Sequence, residues 1–160
     1  MTKKRKKNEQ DQKKTFGEPT DPARSVYRYR KAAEVGDENA MFKLGLHLAK
    51  GYGTARDFTE AAAWMEKAHK AGNPKAGKLA VEYRIMAFYL EKAREGDPDF
   101  QAAFARAVTR HASELNGLDP CIVLREAVRW YAASYRQTGD PKIAAKIELL
   151  RPLTGMKVQI

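Results

Sequence analysis

From Pro22 onward, apolar residues recur three and four positions apart, in stretches separated by Gly, Asn, Asp and Pro. Residues 98–116 show this most plainly. Phe100, Ala103, Phe104, Ala107, Val108, Ala112 and Leu115 share one side of a helix at that spacing. Residues 74–95 differ, because "LAVEYRIMAFYL" is apolar on most sides. That pattern predicts the central and most buried helix. No stretch alternates cleanly between apolar and polar, so no strand is predicted.

The boundaries come from backbone chemistry. Five of the seven prolines follow Asp or Asn, at Asp21-Pro22, Asn73-Pro74, Asp97-Pro98, Asp119-Pro120 and Asp140-Pro141. An Asp or Asn oxygen accepts a free N–H of the first helical turn, and proline there gives up a donor that had no partner. Asp57-Phe-Thr-Glu60 adds a start resembling a capping box. The predicted helices cover 22–35, 38–50, 58–71, 74–95, 98–116, 120–138 and 141–151.

Four junctions look alike: "RKAAEVGDENA", "EKAHKAGNPKA", "LEKAREGDPDFQA" and "YRQTGDPKIA". Each ends a helix on glycine (Gly36, Gly72, Gly96, Gly139) and opens the next on Asp or Asn. The first interval is 36 residues, a length typical of helix-pair solenoids, and the next two are 24 and 43. Small residues such as Ala40, Gly45, Ala61 and Ala68 let helix backbones approach closely. One helix pair cannot bury its own apolar face, so neighbouring helices or a second copy of the chain must cover it.

Residues Ala33, Gly36, Ala40, Leu44, Gly45, Gly51, Gly53, Asp57, Ala61, Trp64, Lys67, Ala68 and Gly72 form an ordered pattern. It runs from alanine and Leu-Gly in a first helix, through a glycine loop, to an aspartate-opened second helix ending in Ala-x-x-x-Gly. This resembles a Sel1-like repeat, a relative of the tetratricopeptide repeat. The resemblance covers one full copy, with partial copies on either side, and says little about 98–160. It implies an all-α, short right-handed helical-repeat solenoid of about seven helices with a C-terminal helical cap. It also implies a non-catalytic adaptor that holds a protein partner. In similar proteins the first helices line the concave face. Lys43, His47 and Lys50, at i, i+4 and i+7, would then face a groove beside Tyr83. The same stripe also reads as plain solvated surface.

Composition sets the remaining bounds. A chain of 160 residues, 43% hydrophobic and 31% charged, suits one domain with a real core. We expect that domain over 21–160. There is no apolar run of about 20 residues for a membrane span. No secretory pattern follows the N-terminus, and one cysteine makes no internal disulfide, so a cytoplasmic protein is expected. Lys3, Lys4, Arg5, Lys6, Lys7, Lys13 and Lys14 against Glu9 and Asp11 give the first fourteen residues +5, half of the total +10. Residues 1–20 read as a disordered basic arm. Such an arm either solubilises or contacts nucleic acid, an acidic partner or an anionic membrane. Arg106/Arg110 and Arg125/Arg129 form i, i+4 pairs whose forks suit carboxylate or phosphate. They carry the second functional reading, a nucleic-acid-binding protein.

Catalytic chemistry finds no support in the residues. Gly51-Tyr52-Gly53 lacks the Lys-Ser/Thr of a phosphate loop and reads as a reversal between helices. His47, His69 and His111 are not spaced for helical metal binding, so neither metal nor cofactor is expected. His111, Ser113 and Glu114 point apart on a helix and make no triad. His111 reads as a satisfied buried histidine. Cys121 reads as a packing residue or, at a helix start, a reactive thiol.

Overall fold

Aspartate side chains start five of the seven helices, in the manner the Asp-Pro and Asp-x pairs predict. The computed structural model describes residues 21–112 and 120–157. Its helices are α1 (Pro22–Glu34), α2 (Glu38–Lys50), α3 (Phe58–Lys70), α4 (Ala76–Arg94), α5 (Pro98–His111), α6 (Pro120–Thr138) and α7 (Pro141–Thr154). Asp21 accepts from the Ala23 amide at 3.0 Å, Asp37 from Ala40 at 2.9 Å and Asp57 from Glu60 at 2.8 Å. Asp97 accepts from Asp99 at 2.9 Å and Asp140 from Lys142 at 2.8 Å. Asp119 lies outside the described residues. Asn73 caps a turn instead of a helix. Its side chain takes the Lys75 amide at 3.1 Å, and α4 begins only at Ala76.

Each helix packs chiefly on its neighbours in the chain, the arrangement of a seven-helix solenoid. Small residues make the closest approaches. Ala61 and Ala68 are fully buried, and a Cβ on Gly45 of α2 would lie 2.9 Å from Met65 Cε of α3. Phe104, Leu44, Leu48, Met65, Ile147 and Val128 are the largest fully buried apolar residues, spread from α2 to α7.

Three expectations change. α4 is not the most buried helix. Val81, Ile85 and Phe88, at i, i+4 and i+7, are 56%, 44% and 47% exposed. Its opposite side, with Tyr83 and Met86, carries the packing, and on the outer one Phe88 meets Phe100 of α5 edge-on at 5.3 Å. α5 is described over Pro98–His111, and Leu115 lies outside the described residues. Its buried face is rotated to Gln101, Ala102, Phe104, Ala105 and Val108. Contacts with both α4 and α6 turn it. Gln101 is accommodated there because it donates to the Ala93 carbonyl (3.3 Å) and accepts from Gln137 (3.0 Å). α7 continues past Pro152 to Thr154, where left-handed Gly155 closes it by donating to the Arg151 carbonyl.

The capping box at Asp57 is half used. Glu60 does not return its carboxylate to the cap. It accepts from Arg30 of α1 at 2.5 Å and from Trp64 Nε1 at 3.1 Å. The hydrogen bond from Arg30 is the main cause that holds the Glu60 carboxyl below its ordinary 4.5, against the opposing effect of burial. A depressed carboxylate contributes stability that is fully present above its unfolded pKa. That contribution is lost as pH falls through the folded one. Glu60→Gln should therefore melt below the parent chain at pH 6. The gap should close as pH drops below about 4, because protonation then removes the same ion pair. Melting curves across that range check this, and a gap independent of pH would contradict it.

Candidate functional site

Helices α2, α4 and α5 meet around a cavity of about 160 Å³. Leu46, Ala49 and Lys50 of α2 line it with Leu79, Tyr83 and Met86 of α4 and Val108 and His111 of α5. Arg56, Phe58 and Val123, from the α2–α3 loop and the starts of α3 and α6, complete the lining. The back wall is aromatic. Tyr83 and Phe58 have ring centroids 6.1 Å apart. Phe58 meets Phe104 edge-on at 6.1 Å, and Phe104 meets Trp130 edge-on at 5.8 Å. This series runs from the cavity into the core.

Charge gathers at the cavity through residues far apart in sequence. Arg56 grips Glu126 of α6 with both terminal nitrogens, one bond being 2.6 Å, and its guanidinium lies 5.2 Å from the Phe58 ring centre. That pair ties the α2–α3 loop to α6. His111, with its side chain 13% exposed, has Nε2 3.8 Å from a Glu82 oxygen.

The four residues expected to line a groove divide into two groups. Lys50 and Tyr83 line the cavity, where Tyr83 is buried wall. Lys43 and His47 belong to a second cluster toward α1. Lys43 Nζ is 5.4 Å from the Tyr29 ring centre. The His47 ring lies 5.3 Å from both Tyr29 and Tyr52, and its Nδ1 is 2.9 Å from the Tyr52 carbonyl oxygen. Lys43, His47 and Lys50 share one face of α2, but seven residues run roughly 10 Å along the axis. Tyr29 of α1 gathers Lys43 and His47, and Lys50 reaches the cavity. Arg56, Phe58, His111 and Val123 were not expected at the site. Only the fold brings them there, and Phe58 alone carried a local signal, as the apolar residue next to a cap.

The arginine pairs do not act as four equivalent charges. Arg125 Nε donates to the Thr154 carbonyl at 2.9 Å. Arg106 reaches Tyr131, whose pKa is raised by burial and partly lowered again by that arginine. Arg110 and Arg129 are exposed. Lys3, Lys4, Arg5, Lys6 and Lys7 lie outside the described residues.

The Gly51–Gly53 loop is a reversal. Gly51 is left-handed at φ +69°, and the Gly51 and Tyr52 amides donate to the Leu48 and His47 carbonyls. Asp57 N–H also donates to Leu48, so three amides finish α2 instead of facing a ligand. Cys121 is half-buried, and its thiol donates to the Leu153 carbonyl at 3.3 Å, which fits packing between α6 and α7. Among the described residues no three His, Cys, Asp or Glu side chains are grouped to hold a metal ion. No described helix is long and apolar enough to cross a membrane.

Comparison with known proteins bears on this arrangement. The Sel1 repeat model matches residues 15–37, 39–73 and 105–138, more than half of the chain. The middle match contains α2 and α3. The third reaches α5 and α6, where the sequence reading found no copy, so there are two full copies and a partial one. Among solved structures, the chain resembles a protective antigen present in uropathogenic Escherichia coli strains that displays an SLR fold. The identity is 23% and the TM-score 0.35, over 85% of this chain and 30% of that one. No curated protein matches. With three matched segments over more than half of its length, the chain belongs to the Sel1 repeat family.

Proposed function

We propose that the chain is a non-catalytic, cytoplasmic adaptor that holds a protein partner along α2 and α4. Sel1-like repeats are generally scaffolds for protein–protein interaction, and the observation that supports a site here is the cavity between those helices. An apolar recess with a few polar groups at its edge is what an anchoring side chain requires. Lys43 and His47 extend the same face toward α1.

Photo-crosslinking residues at positions 43 and 50 in living cells test this. A discrete protein adduct is expected from both and not from position 142 on α7. Tyr83→Ala should reduce it several-fold with helicity intact. Equal adducts from all three positions would remove the site. Nuclease-sensitive adducts that vanish on deleting residues 1–14 would shift the assignment to nucleic-acid binding through Lys3, Lys4, Arg5, Lys6 and Lys7.

A further inference from the structure

We infer that the cavity between α2, α4 and α5 is an anchor pocket for one aromatic side chain of the partner, flanked in the partner by carboxylates. The inference rests on the adaptor reading and names the chemistry of what is held. Its size sets the first limit. A closed apolar cavity of about 150 Å³ takes a benzene ring, and this one measures about 160 Å³. Its lining sets the second. Leu46, Ala49, Phe58, Leu79, Tyr83, Met86, Val108 and Val123 offer carbon surface and ring faces, which favour an aromatic guest through edge and offset contacts.

Charge sets the third limit. Among the described residues the other three of the lining are Lys50, Arg56 and His111, and no described carboxylate lines the space. Glu126 on Arg56 and Glu82 beside His111 already face two of these residues from outside the lining. An incoming carboxylate shares or exchanges these partners, whereas a basic flank meets like charge at Lys50 and Arg56. An aromatic residue between two acidic ones satisfies the recess and its edge together.

The test titrates the full chain with acetylated tripeptide amides and follows amide NMR shifts of Ala49, Met86 and Val108. Asp-Phe-Asp should bind in the low millimolar range and shift all three. Asp-Ala-Asp and Lys-Phe-Lys should each bind at least tenfold more weakly. Ala49→Met, which fills the recess, should weaken Asp-Phe-Asp tenfold. Lys50→Gln keeps the recess and should narrow the preference over Lys-Phe-Lys to less than threefold. Lack of binding by Asp-Phe-Asp, or binding as strong by either other peptide, overturns the inference. If position 43 of the parent chain crosslinks a protein while no tripeptide binds that chain, the anchor pocket falls and the adaptor reading stands. Loss of crosslinking in the parent chain as well overturns both.

Discussion

Replacing Phe104 by alanine should cost about 4 kcal/mol, the middle of the range for deleting a buried aromatic ring. Phe104 is fully buried, with Phe58 of α3 on one side and Trp130 of α6 on the other. Its contact with Phe58 therefore joins helices two places apart in the chain, which successive pairing alone does not supply, and its contact with Trp130 reaches the next helix. In a solenoid, stability is a sum of repeats and nearest-neighbour interfaces. A residue that bridges beyond neighbours is where that sum becomes cooperative. Phe104→Ala should lower the melting temperature by roughly 15 °C. Phe104→Leu keeps most of the volume and should cost about 1–1.5 kcal/mol. Urea denaturation followed by circular dichroism measures both. A loss below about 1.5 kcal/mol for alanine would show that the aromatic series does not tie α3 to α6. Removing the ring also withdraws the support behind Phe58, so the stability of the core and the shape of the cavity are linked through one side chain.

What the sequence makes legible is local. Asp21, Asp37, Asp57, Asp97 and Asp140 announce helix starts because a cap is a contact across two or three residues. Gly36, Gly72, Gly96 and Gly139 announce the ends, and all four have positive φ. The copy at 105–138 is hidden because its small positions have grown. Counting back from the closing glycine, Ala61, Trp64 and Ala68 before Gly72 correspond to Val128, Tyr131 and Tyr135 before Gly139. The aromatic survives, but two alanines become bulky, which is where a pattern of small residues stops being recognised. The outer face of α4 misleads for a related reason. Val81, Ile85 and Phe88 are apolar like core residues, yet hydrophobicity alone does not say which side a neighbour will cover. The Arg56–Glu126 pair spans 70 residues and has no sequence signature at all. At the candidate site, Lys50 and Tyr83 line the cavity. Lys43 and His47 part from them because Tyr29 of α1 packs against both, a contact with no sequence signature.

Gly53→Ala should be the most damaging of the glycine replacements, at about 3 kcal/mol. Two causes combine. Gly53 has φ +74°, where a side chain costs about 1–2 kcal/mol. An added Cβ would also lie 2.3 Å from the carbonyl carbon and oxygen of Pro22 and 2.7 Å from the Ala23 nitrogen. Those atoms are backbone at the start of α1 and cannot swing aside. The helix start must move, and the Asp21 cap on Ala23, worth about 1 kcal/mol, goes with it. Gly36→Ala is the matched control, because φ is +98° but nothing lies within 4 Å of its added Cβ. It should lose only the backbone strain, about 1–2 kcal/mol. Thermal melts of the two variants give the difference, and hydrogen exchange should show α1 opening in Gly53→Ala alone. Equal losses would mean that the loop does not bear on α1. The comparison also separates the two halves of the α2 face. Moving α1 disturbs Tyr29, and with it Lys43 and His47, while Lys50 and Tyr83 line the cavity. A partner that still binds Gly53→Ala is held by the cavity; one that is lost needs the Tyr29–His47–Tyr52 cluster.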